Sequence, residues 1–471
     1  MLFNTIQFVF FLPAVILLYF AIPAKFRWML LLAASYYFYM SWKLEYIFLI
    51  IFSTLIDYFI GLKMEKLQDK KARLPYLIMS LLTNFGLLFA FKYLNFFSEN
   101  VNSAFQAFGF SQQVPYLELL LPVGISFYTF QTISYAIDVY SGKQKAERHL
   151  GYFALYVSFF PQLVAGPIER FSTLTPQLKG HHQFSYDNLA NGLRLILYGL
   201  FVKMVIADNL SVYVDKIYAA PHDFDTFNIL LGLCFYSFQI YCDFFGYSSI
   251  AVGSALIMGI KIMDNFKTPY LSNNIAEFWQ RWHISLSTWF RDYLYFPMGG
   301  SNVLKFRWVL NVMAVFIVSG IWHGANWTFI IWGLLFGIVY LVEKFINRMF
   351  NLKPNPKPYS PLHILLSVKT FAIVTFIWLF FRSQNMGEAF GIIKLIPENI
   401  SIVSRELNVP MFLWISLLGF ILSDIFLYNK RFDVWMKGHP LVVRWGIYSI
   451  LIFAIIVFSG VESFPFIYFQ F

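Results

Sequence analysis

Continuous apolar runs follow one another along almost the whole chain and are separated only by short polar pieces. The composition agrees, because 59% of the residues are hydrophobic and 13% are charged, whereas soluble domains have about 45–50% and about 25%. The sequence therefore excludes a disordered protein, a secreted disulfide scaffold and an ordinary cytosolic enzyme. It predicts an all-α polytopic membrane protein, and the continuous runs disfavour a β-barrel, whose strands alternate.

Several of these runs are shorter than the roughly 20 residues that a straight membrane helix needs. We therefore expect tilted, broken or re-entrant helices, which at membrane depth usually line a cavity because unpaired backbone groups cannot face lipid. No polar segment is long enough for a sizeable soluble domain, so residues 1–471 are expected to form a single membrane domain. After the N-terminal run, the apolar runs fall at residues 28–42, 46–62, 75–94, 117–137, 152–165, 192–206, 227–241, 247–260, 309–319, 326–346, 364–381, 411–427 and 444–458.

The formal net charge of +10 has a simple interpretation in such a chain. In a soluble protein it would suggest nucleic acid as a partner. Here the basic residues lie in short loops such as 63–73, which predicts that these loops are cytoplasmic and that they favour anionic lipids. We expect the lipid bilayer, and no nucleic acid, as a partner.

Polar residues inside or beside the apolar runs are expected to cap or pair helices. The two cysteines, Cys234 and Cys242, match no disulfide or zinc spacing, and neither a metal site nor a bound cofactor is expected. The polar residues in question are Asp57, Gln131, Asp138, Asp243, Asn265 and Arg382.

The richest polar segment is Glu277–Tyr293, whose large apolar residues follow a helical period. It predicts an amphipathic helix with two possible positions. The helix could lie at the membrane interface, with its Trp and Arg side chains at headgroup depth. Alternatively it enters the membrane and lines a polar reaction chamber, and His283 then points inward within one turn of Gln280 and Ser287. The spacing alone leaves both interpretations open.

A second candidate site is Gly320–Trp327, which contains His323 and lies between two apolar runs. A histidine inside the membrane is costly and is functional by default. Its ordinary pKa of about 6.5 suits proton abstraction near neutral pH. The alternatives are a histidine that forms a hydrogen bond between helices and one that lies at the membrane interface near Trp327. The G-x-S-x-G, H-E-x-x-H, P-loop and G-x-G-x-x-G signatures are all absent from the sequence.

Five pieces of the sequence together resemble the membrane-bound O-acyltransferase (MBOAT) family. The closest branch is the membrane subunit of the alginate O-acetyltransferase machinery, and the resemblance covers nearly the whole chain. The ending, residues 466–471, is also typical of that branch. The five pieces are Leu121–Phe127, Phe160–Arg170, Tyr241–Tyr247, Phe278–Gly300 and Gly320–Gly324.

The resemblance implies a fold, an activity and two site residues. The family fold is a ring of tilted and broken transmembrane helices around a central tunnel. The catalytic residue of the family matches His323, and the second site residue matches His283. The branch implies a bacterial inner-membrane protein that passes acetyl groups from cytoplasmic acetyl-CoA to an extracytoplasmic partner acetyltransferase. That partner esterifies a polysaccharide of the cell envelope, such as alginate.

The chemistry of acyl transfer gives these residues roles. The acceptor hydroxyl is a poor nucleophile, and His323 would take its proton as a general base. His323 would otherwise accept the acyl group itself for a short time, and the sequence leaves both routes open. His283, Ser287 or Asn326 would orient the acyl carbonyl or stabilise its oxyanion, and basic residues such as Lys261, Lys267 or Arg281 would meet the donor's phosphates. The candidate substrate-binding residues are Ser287, Asn326, Gln280 and Arg281.

Two other functions remain open from the sequence. One is D-alanyl transfer to teichoic acid, in which the donor is a carrier-protein thioester. The other is transport of a small metabolite, because buried polar residues and broken helices also suit transporters. No pair of matching Gly/Pro-interrupted halves supports the transporter.

Overall fold

The computed structural model describes residues 1–117, 119–164, 166–352, 356–401, 405–459 and 466–467, among which there is no β-strand. Short π-helical turns follow α4, α10 and α14, at residues 89–93, 201–207 and 291–295. The α-helices are α1 (Ile6–Ala21), α2 (Arg27–Met40), α3 (Ile47–Lys66), α4 (Lys70–Leu88), α5 (Leu94–Ala107), α6 (Ile125–Ser141), α7 (Leu150–Ser158), α8 (Phe160–Leu163), α9 (Phe171–Lys179), α10 (Tyr186–Leu200), α11 (Asp208–Ala219), α12 (Thr226–Ile257), α13 (Ile275–Arg281), α14 (Ile284–Phe290), α15 (Lys305–His323), α16 (Trp327–Met349), α17 (Pro361–Arg382), α18 (Met386–Glu398), α19 (Met411–Phe426), α20 (Phe432–Lys437) and α21 (Leu441–Phe458).

Eight helical stretches among the described residues are long and apolar enough to cross a membrane. Two further apolar helices, α1 and α19, are shorter. The prediction of an all-α polytopic membrane protein is therefore confirmed. The eight stretches are Leu44–Lys66, Lys70–Ala107, Tyr186–Ala219, Thr226–Ile257, Lys305–His323, Trp327–Met349, Pro361–Arg382 and Leu441–Phe458.

The described chain forms two compact units. The first comprises Met1–Ala190 with Ser254–Met263, and the second comprises Asn191–Gly253 with Asp264–Phe471. That residues 1–471 form a single membrane domain stays a prediction.

A buried polar network holds α3, α4 and α6 together in the first unit. Ser80 and Asn84 donate hydrogen bonds to the two carboxylate oxygens of Asp57, at 2.5 and 2.8 Å. Thr132 on α6 donates to the amide oxygen of Asn84 at 3.0 Å. Because a buried polar group is costly without a partner, this network satisfies groups that would otherwise oppose folding. The expected pairing role of Asp57 is confirmed.

Helix α12 is longer than the sequence predicts. The sequence predicts separate segments for the runs 227–241 and 247–260, but they belong to one helix of 32 residues. A glycine lies between the two runs because another helix passes very close to this point. A Cβ atom on Gly246 would approach the carbonyl oxygen of Gly199 to 2.7 Å. Gly246 therefore permits close helix packing and does not break the helix.

The core of the second unit contains a cluster of large aromatic side chains. Trp282, Trp332 and Trp378 are all fully buried. The ring of Trp378 lies 5.0 Å from that of Trp282 and 5.8 Å from that of Trp332, measured between centroids. Such side chains bury large areas and prefer tilted or edge-on contacts. This cluster lies beside both candidate histidines, because Trp282 precedes His283 and the ring of Trp332 lies 5.0 Å from that of His323, between centroids.

The proline-rich segment 351–361 lies between α16 and α17, and residues 353–355 lie outside the described part of the chain. The basic cluster 63–73 is not one loop, because α3 ends at Lys66 and α4 begins at Lys70. Asp69 caps α4 by accepting a hydrogen bond from the backbone N–H of Lys71 at 3.1 Å. The cytoplasmic position of this cluster stays a prediction.

Candidate active site

The segment 277–293 is not one amphipathic helix, so that prediction is wrong. Helix α13 ends at Arg281 and α14 begins at Ile284. His283 lies between them with φ of 43°, in the left-handed region that costs a non-glycine residue free energy. The break is held from outside the segment by Asn265. Its backbone oxygen accepts from Ile284 N at 3.0 Å, and its side-chain oxygen accepts from the Ser285 hydroxyl at 2.6 Å.

His283 is completely buried against aromatic rings. The ring of Phe244 meets it edge-on at 4.6 Å, and the ring of Trp322 lies 6.1 Å away, between centroids. Burial lowers the pKa of His283 to about 3. The imidazole is therefore neutral near pH 7, with one nitrogen able to donate a hydrogen bond and the other able to accept one.

His323 is the last residue of α15 and is also buried. Three aromatic rings surround its imidazole: Trp322 at 4.9 Å, Trp332 at 5.0 Å and Phe381 at 5.2 Å. The helix ends here because Gly324 is extended and has no side chain. A Cβ atom on Gly324 would meet the ring of Phe329 at 2.1 Å. The local backbone therefore holds His323 tightly in its position.

The two histidines both lie near the ring of one side chain, Trp322, within the second unit. The sequence places them forty positions apart (323 minus 283), and the fold brings them into one aromatic cluster. Their assignment as catalytic residues stays a prediction. The arrangement offers two imidazoles in a dry setting, where electrostatic interactions are strong.

Ser287 and Asn326 already make hydrogen bonds with the protein. The half-buried Ser287 hydroxyl donates to the backbone oxygen of Trp282 at 3.3 Å. Asn326 caps α16 by accepting from Thr328 N at 3.0 Å, and its amide donates to the backbone oxygen of Gln384 at 2.6 Å. Their proposed contact with substrate requires these bonds to be shared or broken, and it stays a prediction.

Arg281 is buried and its guanidinium joins distant segments. It pairs with Glu277 at 2.9 Å and donates to the backbone oxygen of Lys267 at 3.0 Å. It also donates to the side chains of Asn429 and Tyr428, at 2.9 Å each. These contacts give Arg281 a structural role. Gln280, the residue before it, is exposed. That either residue binds substrate stays a prediction.

A cavity of about 400 Å³ lies next to this region, and we call it the Asn265 cavity. Asn265 is only 1% exposed, and its side-chain nitrogen has no hydrogen-bond partner among the described residues. Lys267 and Lys430 are exposed at the edge of the cavity. Besides these three, its lining residues are Leu195, Tyr241, Phe245, Ser248, Ser249, Val252, Asp264, Phe266, Thr268, Asp424, Leu427, Asn429, Arg431, Phe432 and Val434.

Two ring contacts connect the Asn265 cavity to His283. Phe266 lines the cavity, and its ring lies 4.9 Å from that of Phe244. Phe244 in turn contacts His283. From the sequence Asn265 is expected only to cap or pair helices, and the signal nearest to it is Lys267, a candidate contact for the donor's phosphates.

No group of three or more His, Cys, Asp or Glu side chains suited to a metal ion occurs in the part of the chain that the structure describes. That the site holds no metal and no bound cofactor stays a prediction.

The burial of His283 predicts a pH effect on stability. Its pKa is about 3 in the folded protein and about 6.5 in an unfolded chain. Between these values the unfolded chain binds a proton that the folded protein does not, so this contribution to stability is lost as the pH falls below about 6.5. We expect the melting temperature of the wild type in detergent to fall more steeply from about pH 7 to about pH 5 than that of His283→Gln.

His439→Gln is the matched control, since His439 lies in the same unit and is only half-buried. It is expected to follow the wild type. Parallel curves for the wild type and His283→Gln would show that the imidazole does not titrate as its burial predicts.

Comparison with known proteins places the chain in a family. A model of the membrane-bound O-acyltransferase family matches residues 148–382, a range that includes every sequence piece of the resemblance except Leu121–Phe127. The chain is 35% identical to the probable alginate O-acetylase of Pseudomonas putida, over 100% of both chains. It is 37% identical to the peptidoglycan O-acetyltransferase of Helicobacter pylori, over 84% of this chain and 79% of that one.

The chain is also 32% identical to the teichoic acid D-alanyltransferase of Bacillus subtilis, over 54% of this chain and 67% of that one. The alginate and peptidoglycan relatives match more of the chain at higher identity than this relative does. The resemblance seen in the sequence is confirmed, and this chain belongs to the membrane-bound O-acyltransferase family.

Proposed function

We propose that this protein is an O-acetyltransferase subunit that moves acetyl groups from cytoplasmic acetyl-CoA across the membrane for O-acetylation of an extracytoplasmic polysaccharide. Family membership supports the O-acyltransferase activity. Relatives named for the O-acetylation of alginate and of peptidoglycan support a polysaccharide acceptor. The observation that carries the proposal is the placement of His323 and His283 around Trp322, beside a cavity with a cationic edge.

His323 acts as the general base in this proposal. It takes the proton of the acceptor hydroxyl while the hydroxyl oxygen attacks the thioester carbonyl carbon, which typically contributes about 10²–10⁴-fold in rate. The carbon–sulfur bond then breaks, and the thiolate leaves with the electron pair and takes up a proton. The aromatic rings around His323 exclude water, so hydrolysis of the thioester is suppressed.

His283 stays neutral and supports this step by hydrogen bonding. Its lowered pKa means that it does not compete with His323 for the acceptor's proton near neutral pH. A neutral imidazole can donate to the oxygen of the acyl carbonyl, where negative charge develops during the attack. The fixed backbone at His283 favours such a role, because a preorganised donor loses little freedom in the reaction.

The Asn265 cavity is our proposed donor site. Its volume of about 400 Å³ is within the range for small-molecule sites, roughly 300–1,000 Å³. Lys267 and Lys430 at its edge suit the phosphates of acetyl-CoA, whereas the buried side-chain nitrogen of Asn265 suits an amide oxygen of the pantetheine arm. The rings of Phe266 and Phe244 then lie between the pantetheine arm and His283.

The membrane position and the partner belong to the same proposal. Helices α15 and α17 both begin beside basic residues or a basic linker, which supports a cytoplasmic position for their first turns in a bacterial inner membrane. We place the donor cavity on that side as part of the proposal, and the two lysines that line it, Lys267 and Lys430, support this choice. An extracytoplasmic partner acetyltransferase would then receive the acetyl group, because no polar segment of the sequence is long enough for a sizeable soluble domain.

The proposed donor site predicts a change in KM. Replacing both Lys267 and Lys430 with Ala is expected to raise KM for acetyl-CoA about fivefold to tenfold, because each exposed charge pair contributes about 0.2–1 kcal/mol. The turnover number kcat is expected to change less than about twofold, since neither lysine touches the reacting atoms. The measurement is release of free CoA thiol by purified protein with its extracytoplasmic partner and polysaccharide present.

The matched control replaces Lys344 and Lys394, two exposed lysines of the same unit that do not line the cavity. An unchanged KM in the Lys267/Lys430 variant would exclude the cavity as the donor site. Thiol release from a carrier-protein thioester but not from acetyl-CoA would favour D-alanyl-type transfer. Binding or transport of an uncleaved metabolite would favour the transporter.

A further inference from the structure

A second cavity, of about 380 Å³, lies beside α17 in the second unit, and we call it the α17 cavity. It is distinct from the Asn265 cavity, with which it shares only the side chain of Asp424. Neither His323 nor His283 lines it. The lining residues are Phe238, Tyr270, Leu271, Tyr359, His363, Ile364, Ser367, Val368, Phe371, Phe420, Ile421, Asp424 and Ile425.

The polar groups of the α17 cavity lie at one end. His363 and Ser367 are in the first two turns of α17, whereas Phe371 lies a further turn along the helix. At a rise of about 1.5 Å per residue, the lining runs about 12 Å from His363 to Phe371. Asp424 lies in the last turn of α19 beside Ile425, whose backbone oxygen accepts a hydrogen bond from Tyr359 just before α17, so it belongs to the same end. The cavity therefore has a polar end near the membrane interface and an apolar end deeper in.

Two buried polar atoms at this end lack a partner. His363 is 2% exposed and Ser367 is 5% exposed. Neither the Nε2 atom of His363 nor the hydroxyl of Ser367 has a hydrogen-bond partner among the described residues. Asp424, in contrast, accepts a hydrogen bond from the Tyr241 hydroxyl at 3.0 Å. Buried polar groups are rarely left unsatisfied in native proteins, so these two atoms indicate a ligand with hydrogen-bonding groups.

The side of the cavity formed by α17 faces the bilayer. Ile364 and Val368 line the cavity and are 54% and 60% exposed. Both belong to the candidate membrane span Pro361–Arg382, so their exposed surfaces meet lipid. A ligand that enters here comes from within the membrane, and a long apolar chain can enter without passing through water.

We propose that the α17 cavity binds one acyl chain of a membrane glycerophospholipid. The ester group of the lipid lies at His363 and Ser367, and the chain extends past Phe371. An acyl chain gains no hydrophobic free energy when it moves from the bilayer into the cavity, because lipid tails are as apolar as the residues that line the cavity. Binding therefore depends on hydrogen bonds at the polar end and on packing along the chain. A phospholipid provides both, with ester oxygens at interface depth and an alkyl chain below them.

The bound lipid also borders the proposed donor site. Asp424 separates the two cavities and holds Tyr241, whose ring lies 5.9 Å from that of Trp282. Trp282 precedes His283 in the break between α13 and α14. The ester end of a bound lipid, which lies at the same end of the cavity as Asp424, would therefore keep this wall in place. Lipid binding does not depend on the proposed function, and its failure would leave that function untouched.

The test compares lipid retention in two phenylalanine variants of α17. Ser367→Phe fills the cavity, whereas Leu365→Phe adds the same ring on the exposed lipid face of the same helix. Each protein is purified in mild detergent, and bound lipid is counted by native mass spectrometry before and after addition of dioleoylphosphatidylethanolamine. We expect the wild type and Leu365→Phe to retain one phospholipid that Ser367→Phe lacks, and the affinity of Ser367→Phe for the added lipid to be at least tenfold lower.

A second pair of variants serves if Ser367→Phe does not fold. His363→Gln keeps a hydrogen-bond donor and is expected to retain lipid, whereas His363→Leu is expected to bind it at least tenfold more weakly. Equal retention by Ser367→Phe and Leu365→Phe, or by His363→Gln and His363→Leu, would overturn the proposal. Displacement of the lipid by acetyl-CoA, one for one, would also overturn it by assigning the α17 cavity to the donor.

Discussion

Replacing His323 with Ala is expected to abolish acetyl transfer while the protein still inserts and folds. The expected loss is about 10²–10⁴-fold, the range that general-base catalysis supplies. The fold is expected to survive because His323 is the last residue of α15, and α15 approaches α16 closely at Gly320 and Gly333, away from the imidazole. Activity and stability therefore separate in this variant.

The measurement is CoA release from acetyl-CoA, with thermal stability and gel-filtration behaviour measured on the same sample. His439→Ala is the control, because it removes a histidine of the same unit whose ring hydrogen bond stays within its own turn, at Trp435 O. Wild-type levels of O-acetyl ester in a His323→Ala strain would remove His323 from the mechanism. If an acetyl adduct on His323 is trapped in the absence of acceptor, His323 acts as a transient acyl carrier and not as a general base.

The sequence is sufficient to single out His323, for a physical reason. A histidine between two apolar runs is costly unless it has a function, and Gly320 and Gly324 beside it permit a bend or a close approach by a substrate. The structure adds what the sequence could not contain, namely the rings of Trp332 and Phe381 around the imidazole. Those contacts come from two later helices, and no local pattern predicts them.

The break between α13 and α14 at His283 could not be predicted from the neighbouring sequence. Periodicity favours one helix through this segment, because its large apolar residues recur at helical spacing. The hydrogen bonds to Asn265 outweigh that preference, and Asn265 lies about twenty positions earlier. The sequence also does not reveal what the side chains of Ser287 and Asn326 contact. A polar residue that bonds to a backbone group and one that binds a substrate have the same appearance in a sequence.

Replacing Lys203 alone with Met is expected to destabilise the protein by about 3–5 kcal/mol, because it removes one partner of a buried ion cluster. The Nζ atom of Lys203 lies 2.6 Å from an oxygen of Asp208 and 2.5 Å from an oxygen of Asp243. All three side chains are buried within helical stretches that are candidate spans. Without the lysine, two carboxylates face each other in a medium that cannot solvate them.

The triple variant Lys203→Met, Asp208→Asn, Asp243→Asn is expected to recover most of this loss, since it leaves no uncompensated charge. Lys369→Met is the control, because its ion pair with Glu343 is partly exposed and should contribute less than about 1 kcal/mol. The measurement is thermal unfolding in detergent. Equal melting temperatures for Lys203→Met and Lys369→Met would contradict a buried, water-free cluster.

The cluster also connects stability to the site, so the same variants are expected to differ in activity. The second carboxylate oxygen of Asp243 accepts a hydrogen bond from the backbone N–H of Ile467 at 2.7 Å. The neighbouring ring of Phe466 lies 5.4 Å from that of Phe244, which is the ring packed against His283. Lys203→Met is therefore expected to lower acetyl transfer as well as stability, because it loosens the support behind His283. In the triple variant the amide that replaces the carboxylate at position 243 keeps an oxygen for the Ile467 N–H, so both properties should recover together.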